Sequence, residues 1–188
     1  MKLYLSLLFI LSSLAIKAQN YSATTDVNFS GDTVVTYKNE IGAVIKKVTY
    51  SKDIFDNYIE TTTGADRRKI REVKRSKDIF GNDIVTTTDG NGRKVKSIKK
   101  SVDIFGNNIT EVTDENGRIV EKVKTGKDIF GNNIKQVTDR DGREIRSYKK
   151  SKDIFGNDII ELNNGKRKTT IKYSTDIFGN EVKEVKTQ

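Results

Sequence analysis

The sequence contains no histidine, no cysteine and no tryptophan, and each absence excludes a kind of function. Without histidine and cysteine the chain lacks the usual general base at neutral pH, a thiol nucleophile and the commonest metal ligands. It also lacks a disulfide framework and a cysteine that a lipid could modify. Carboxylate pairs remain as candidate catalytic groups, but aspartates recur in every repeat, whereas a catalytic pair is normally unique. The sequence therefore predicts a protein that is not an enzyme and has no catalytic residue or cofactor.

What the chain has instead is a pentapeptide, DIFGN, that occurs five times, preceded by an imperfect copy, DIFDN. The copies follow one another at 25 residues, with a last step of 23 residues. A fixed period of this length marks solenoids, propellers or arrays. A degenerate copy precedes the clear ones, because NFSGDTVVT aligns with DIFGNDIVT, and the chain ends in half a copy, as terminal repeats are usually atypical. We predict one repeat domain over 28–188, with copies starting near 28, 53, 78, 103, 128, 153 and 176.

Each copy consists of two similar halves, and both halves begin with the pattern D-x-x-G followed by a strand-like run rich in Ile, Val, Thr and Tyr. Asp suits the first position of a type I turn, and Gly suits a fourth position with positive φ. Asp56, which replaces Gly in the imperfect copy, also tolerates the left-handed region. The structural turns are therefore predicted at Asp78 and Gly81, Asp103 and Gly106, Asp128 and Gly131, Asp153 and Gly156, and Asp176 and Gly179.

The predicted fold is all-β, with tandem 25-residue repeats forming an extended antiparallel meander of hairpins; the alternative is a β-solenoid. The meander is favoured by Asn163-Asn164-Gly165, where a two-residue hairpin loop replaces a longer loop without changing which face the side chains occupy. Ile109 and Val112 are three residues apart, so a regular strand places them on opposite faces. Either each strand contains a bulge that restores the facing, or both faces are lightly apolar.

Each DIFGN turn has an apolar tip of Ile and Phe. If a repeat uses two strands about 4.8 Å apart, the tips line one side of the sheet roughly every 10 Å. We expect each tip to fold back onto neighbouring turns as a small continuous core; the alternative is an exposed apolar row that marks an interface. The phenylalanines are Phe55, Phe80, Phe105, Phe130, Phe155 and Phe178.

The segments TDENGRIVEKV and DIFGNNITEVTD resemble the YD, or RHS, repeats of large bacterial surface and toxin-delivery proteins. The resemblance covers roughly residues 28–188 and implies a long antiparallel β-sheet. The Tyr that normally precedes the Asp is absent here, and the chain is too short for the closed shell of the large relatives. Toxin encapsulation is therefore not implied.

Residues 1–18 have the layout of a secretory signal peptide, with Lys2, an apolar run and Ala18 before a polar stretch. We expect cleavage near Gln19, a short segment over 19–27 before the repeats, and a periplasmic, cell-surface or secreted protein. The alternative is an uncleaved N-terminal anchor. No other segment approaches the roughly 20 apolar residues of a membrane span.

Charge is the main sequence indication of a ligand. The chain carries a net charge of +9, or +7 once residues 1–18, with Lys2 and Lys17 and no acidic residue, are removed. Basic residues favour anionic partners, or else solubilise a thin sheet and guard its edge strands. Candidate polyanion contacts are Arg67, Arg68, Lys69, Lys99, Lys100, Lys149, Lys150, Lys166, Arg167 and Lys168.

Three turns begin like calcium-binding loops, for example Asp114-Glu115-Asn116-Gly117. Such loops need further ligands, usually including a downstream bidentate acid, and here the next residue is an arginine, whose positive charge opposes cation binding. We predict plain turns and no metal. Taken together, the sequence predicts an exported, non-enzymatic β-repeat protein with a structural or adhesive role at the cell envelope or outside the cell, with self-association as one form of partner. The alternative is a binding module for anionic polysaccharide or another polyanion, without specific nucleic-acid recognition.

Overall fold

The computed structural model describes residues 21–188; residues 1–20, which include the predicted signal peptide, lie outside the described part. The described chain forms one open sheet of 14 strands, and each strand pairs antiparallel with the strand before it and the strand after it. The predicted meander is confirmed, and the solenoid alternative is wrong. The strands are β1 (Ser22–Val27), β2 (Thr33–Lys38), β3 (Val44–Lys52), β4 (Tyr58–Gly64), β5 (Lys69–Lys77), β6 (Asp83–Asp89), β7 (Lys94–Val102), β8 (Asn108–Thr113), β9 (Ile119–Lys127), β10 (Asn133–Asp139), β11 (Glu144–Lys152), β12 (Asp158–Asn163), β13 (Lys168–Thr175) and β14 (Glu181–Thr187).

Because consecutive strands are antiparallel neighbours, alternate turns lie at opposite ends of the strands and so form two rows on opposite sides of the sheet. One side, which we call the DIFGN row, holds the turns at 28–32, 53–57, 78–82, 103–107, 128–132, 153–157 and 176–180. The other side, the opposite row, holds the turns at 39–43, 64–68, 89–93, 114–118, 139–143 and 164–167. In each DIFGN turn the fourth amide donates to the first carbonyl, as in the 2.9 Å bond from Gly131 N to Asp128 O.

The turn glycines have the predicted left-handed backbone. Their φ angles are 82° at Gly81, 81° at Gly106, 80° at Gly131, 84° at Gly156 and 87° at Gly179. Asp56 takes the same conformation with φ 64°, as expected for one of the few side chains that enter this region at modest cost.

Gly131→Ala should destabilise the fold by about 1–2 kcal/mol, because an L side chain in the left-handed region costs this much. No atom lies within 4 Å of the position a Cβ would take, so the cost comes from the backbone alone. Gly131→Asn should cost less, since Asn enters the left-handed region more readily. Urea unfolding of the two variants measures the difference, and an Ala variant as stable as the wild type would contradict the turn geometry.

Bulges are present, and they lie beside the turns of the opposite row. They do not bring the two apolar positions of a strand, such as Ile109 and Val112, to one face. Thr113 pairs with Ile119 while Val112 pairs with Glu121, so Val120 has no opposite residue. Similar register shifts follow four other turns of this row.

The shortened turn differs from the prediction. Asn163 pairs with Lys168 and Leu162 pairs with Thr169, which leaves a four-residue loop, 164–167, and no bulge. The Asn164 side chain accepts bonds from Lys166 N and Arg167 N. The predicted two-residue loop is therefore wrong. Compared with the other turns of the opposite row, this loop is one residue shorter and the one-residue bulge beside it is absent. Because two residues are missing in total, the side chains of the strand stay on the same faces of the sheet.

Ile109 and Val112 lie on opposite faces, so both faces are lightly apolar. Ile109 is opposite Ser101 and Lys124, whereas Val112 is opposite Ile98. We call these the isoleucine face and the valine face. The repeat places Ile59, Ile84, Ile109, Ile134 and Ile159 on the first, and Val48, Val73, Ile98, Val112, Val123 and Val137 on the second.

Burial within this single layer is limited. Among the described residues the buried apolar side chains are Val48, Val73 and Val137 on the valine face and Ile109 on the isoleucine face. Neighbouring Lys and Arg side chains, whose aliphatic stems cover apolar surface, take the place of a second layer. The sheet therefore has two solvated faces and no interior between layers.

The first strand begins before the predicted start of the repeat domain at residue 28. β1 pairs along its whole length with β2, from Ser22 opposite Lys38 to Val27 opposite Thr33. Residues 22–27 of the segment expected to precede the repeats are thus part of the sheet. At the other end, the last strand alternates Glu181, Lys183, Glu184 and Lys186, charges that guard an edge strand against unwanted pairing.

Candidate functional site

The DIFGN row is the candidate site, and its geometry starts from the aspartate of each turn. Asp128 Oδ1 accepts bonds from Phe130 N and Asn132 N, both 2.9 Å long. Its Oδ2 accepts Asn132 Nδ2 at 2.9 Å and forms a salt bridge with Lys149 Nζ at 2.9 Å. One carboxylate thus holds the backbone and a side chain of its own turn and a side chain from β11, the second strand after that turn.

The salt bridge recurs through the array. Lys149 lies opposite Ile134 on the isoleucine face and reaches across it to the turn that begins the same repeat. The bridges are Lys74 to Asp53 (2.7 Å), Lys99 to Asp78 (2.8 Å), Lys124 to Asp103 (2.9 Å), Lys149 to Asp128 (2.9 Å) and Lys172 to Asp153 (2.8 Å). We call this series the Asp–Lys ladder.

Sequence reasoning missed the ladder, although the signal was present. A lysine follows each turn aspartate at 21 residues, and at 19 residues after Asp153, where the short loop removes two. The ladder does not include the degenerate copy, which has Asn28 and Thr49 at these positions.

These contacts hold the pKa of the ladder aspartates well below the ordinary value. For Asp53, Asp78 and Asp153 the lysine is the largest cause and the turn asparagine is the next. For Asp103 and Asp128 the asparagine comes first and the lysine second. The pKa of Asp176 is also lowered, by Asn180 alone among side chains. The carboxylates are therefore ionised structural groups and do not serve as proton donors near neutral pH.

The Ile and Phe tips are exposed, so the expected internal row is wrong. The six phenylalanines are 72–81% exposed and the six isoleucines beside them 83–94% exposed. The reason is the single layer: no second sheet covers the turns, and the aspartate bonds fix the backbone of each turn. Phe29 in the degenerate copy is fully exposed as well.

Phe130→Ala should change the free energy of unfolding by no more than about 0.5 kcal/mol, as is usual for a surface side chain. Val137→Ala in the same repeat is the matched comparison, because Val137 is only 6% exposed. Removing two buried carbons at about 0.8 kcal/mol each should cost about 1.5 kcal/mol. Chemical denaturation of both variants measures the two losses of unfolding free energy. A larger loss for Phe130→Ala than for Val137→Ala would contradict the exposed position of Phe130.

The structure does not bring the ten candidate polyanion contacts into one patch. Lys99 and Lys149 belong to the Asp–Lys ladder, while their neighbours Lys100 and Lys150 lie on the valine face. Lys150 is paired with Asp158 at 3.1 Å. Three more are paired: Lys69 with Glu72, Lys168 with Glu161, and Arg68 with Asp66. Arg67, Lys166 and Arg167 lie in turns of the opposite row.

A shallow depression of about 590 Å³ lies on the valine face beside the short loop. Tyr148 and Leu162, which are opposite each other, form part of its lining. Lys135, Arg146 and Arg167 add three positive charges, and Glu121 adds one negative charge. Tyr148 is specific to this copy, because the other copies have Val48, Val73, Ile98, Val123 and Ile171 at its position.

Within residues 21–188 no three acidic side chains lie close enough together to hold a metal ion. The same residues include no helix of the length and hydrophobicity that a membrane crossing requires. Models of known protein families give no match to the chain, and neither do curated protein sequences.

Proposed function

We propose that this chain is an exported, non-enzymatic β-repeat protein with a structural or adhesive role at the cell envelope or outside the cell. The observation that carries the proposal is the row of exposed Ile and Phe tips on the DIFGN side of the sheet. A row of this many exposed large apolar side chains is unusual for a protein that works alone and is typical of an interaction surface.

The tips are suited to binding because the backbone of each turn is already held in place. Each aspartate fixes the backbone of its own turn, and in the ladder a lysine from the second strand after the turn contacts the same carboxylate. A turn whose backbone is held in place loses less entropy on binding than a mobile loop. The signal-peptide layout of residues 1–18 and the resemblance to YD repeats of surface proteins support the same role.

Co-sedimentation with isolated envelopes of the producing cells tests the adhesive role. The variant Phe80→Ser/Phe105→Ser/Phe130→Ser/Phe155→Ser removes four adjacent rings that are each exposed, so the fold should persist. We expect at least about a tenfold loss of envelope binding, since aromatic anchors dominate interface energies. Ile41→Ser, at an 87% exposed position in the opposite row, is the control and should bind as the wild type does. Equal binding by the four-Phe variant would reject the adhesive row.

A binding module for anionic polysaccharide is the second candidate, favoured by the depression beside the short loop. Tyr148 offers an aromatic surface for a sugar ring, and Lys135, Arg146 and Arg167 offer charge for carboxylates. Titration with polygalacturonate should show weak binding that salt reduces, absent with neutral dextran. Lys135→Ser/Arg146→Ser should abolish it and Arg67→Ser/Arg68→Ser, in another turn, should not. Binding that depends equally on both pairs would indicate general charge attraction only.

A further inference from the structure

We propose that the DIFGN row is an interface between two copies of this chain, which associate tip to tip. The inference rests on the proposed adhesive role, since it names one partner of the same surface.

The row is chemically the same at each step. Six copies present Ile followed by Phe at the same two positions of the turn, at a spacing of roughly 10 Å. A partner that meets all of these tips must offer apolar contacts at the same period. A second copy of this chain has the same period, which a flat surface does not.

Charge along the row permits contact between identical surfaces. Like charges that face each other across an interface oppose association. Here five of the six aspartates, all but Asp176, are paired with ladder lysines, and the lysine before the Asp is paired in three of the copies. These pairs are Lys52 with Asp56 (2.7 Å), Lys77 with Asp83 (2.8 Å) and Lys152 with Asp158 (3.5 Å).

The opposite row lacks this combination. Its turns include Arg67, Arg68, Arg93, Arg118, Arg140, Arg143, Lys166 and Arg167, and Ile41 is the single large apolar side chain exposed at a described turn tip there. The same turns also contain Glu40, Asp66, Asp89, Asp114, Glu115, Asp139 and Asp141. Two opposite rows would therefore meet with many charged side chains of both signs and little apolar surface. The DIFGN row is the side of the sheet that can pair with itself.

The available area is sufficient for a stable dimer. A phenylalanine buries about 150–250 Å². Six that are 72–81% exposed thus offer roughly 650–1,200 Å² per copy before the isoleucines are counted. A standard interface needs about 800 Å² per partner. Contact between two like rows is isologous and closes as a dimer.

Sedimentation velocity of the chain across a concentration series, from about 1 to 100 μM, tests the proposal. We expect a monomer–dimer equilibrium for the wild type. Phe105→Ser/Phe130→Ser should weaken it at least about tenfold, with an unchanged melting temperature, and Ile41→Ser should leave it unchanged. A wild-type monomer at all concentrations, or a dimer indifferent to the Phe changes, would overturn the proposal.

The absence of cysteine allows a second, independent readout. In chains mixed from the single variants Phe105→Cys and Phe130→Cys, oxidation should produce disulfide-linked dimers, whereas Asn116→Cys on the opposite row should not. Equal cross-linking from both rows would overturn the assignment.

Vesicles of neutral phosphatidylcholine, tested by flotation, separate the lipid alternative from the dimer. Vesicle binding by a chain that stays monomeric would overturn the dimer. Envelope binding by a monomer would retain the adhesive role and reject the dimer alone.

Discussion

Asp128→Ala should cause a larger loss of folding stability than removal of any exposed apolar side chain of the row. The substitution deletes two bonds to backbone amides, one to the Asn132 side chain and the salt bridge from Lys149. Asp139, in the opposite row of the same repeat, holds only the two backbone amides, from Asp141 and Arg143. With four contacts against two, the loss in thermal or urea unfolding should be roughly twice that of Asp139→Ala.

The degenerate copy supplies a rescue variant. There Asn28 Oδ1 accepts the amides of Ser30 and Asp32, and Asn28 Nδ2 donates to Asp32. Asp128→Asn/Asn132→Asp would give the copy at 128 the same exchanged pair. It should recover most of the stability that Asp128→Ala loses. Equal losses at Asp128 and Asp139, or complete recovery in the exchanged pair, which keeps the turn bonds but lacks the rung to Lys149, would show that the Asp–Lys ladder contributes little.

Acid should unfold the protein through the same aspartates. The pKa of each of the five ladder aspartates is lower in the folded than in the unfolded chain. The unfolded chain therefore binds more protons at low pH, and the stability from these groups is complete above the unfolded pKa near 4. It is lost as the pH falls from about 4 toward the lowered folded values. Between pH 5 and 8 stability should be flat, because the chain has no histidine.

Urea unfolding at a series of pH values measures this dependence. The exchanged variant Asp128→Asn/Asn132→Asp and the single change Lys149→Thr each break one rung, so their stability should fall less steeply below pH 4. Thr is the residue of the degenerate copy at that position, Thr49. If neither variant changed the slope of unfolding free energy against pH, acid unfolding would be assigned to general charge repulsion.

The repeat made most of the fold readable from sequence. A 25-residue period, Asp and Gly at fixed positions and β-rich runs between them define hairpins, and the φ angles of Gly81 to Gly179 agree. The short loop at 164–167 was assigned wrongly because the sequence shows that two residues are missing without showing from where. A bulge residue such as Val120 has no sequence pattern of its own, so the sequence does not show that the bulge is absent beside the short loop.

The candidate site was less predictable, because it depends on what surrounds each turn. Ile and Phe at a tip have the composition of a core, and only the absence of a second layer leaves Phe130 exposed. Lys149 reads as part of a basic pair with Lys150, whereas the sheet sends the two to opposite faces. Adjacent residues in sequence thus take different roles, one in the ladder and one on the valine face.

The exposed row is tested most directly by the labelling rate of a single thiol at one tip. The natural chain has no cysteine, so Phe130→Cys creates the only reactive site. At nanomolar concentration, where copies do not meet, a thiol reagent should modify folded Phe130→Cys nearly as fast as the same chain in denaturant. Val137→Cys, at a 6% exposed position, should react far more slowly. Strong protection of the tip thiol in the folded monomer would contradict the exposed row and restore an internal one.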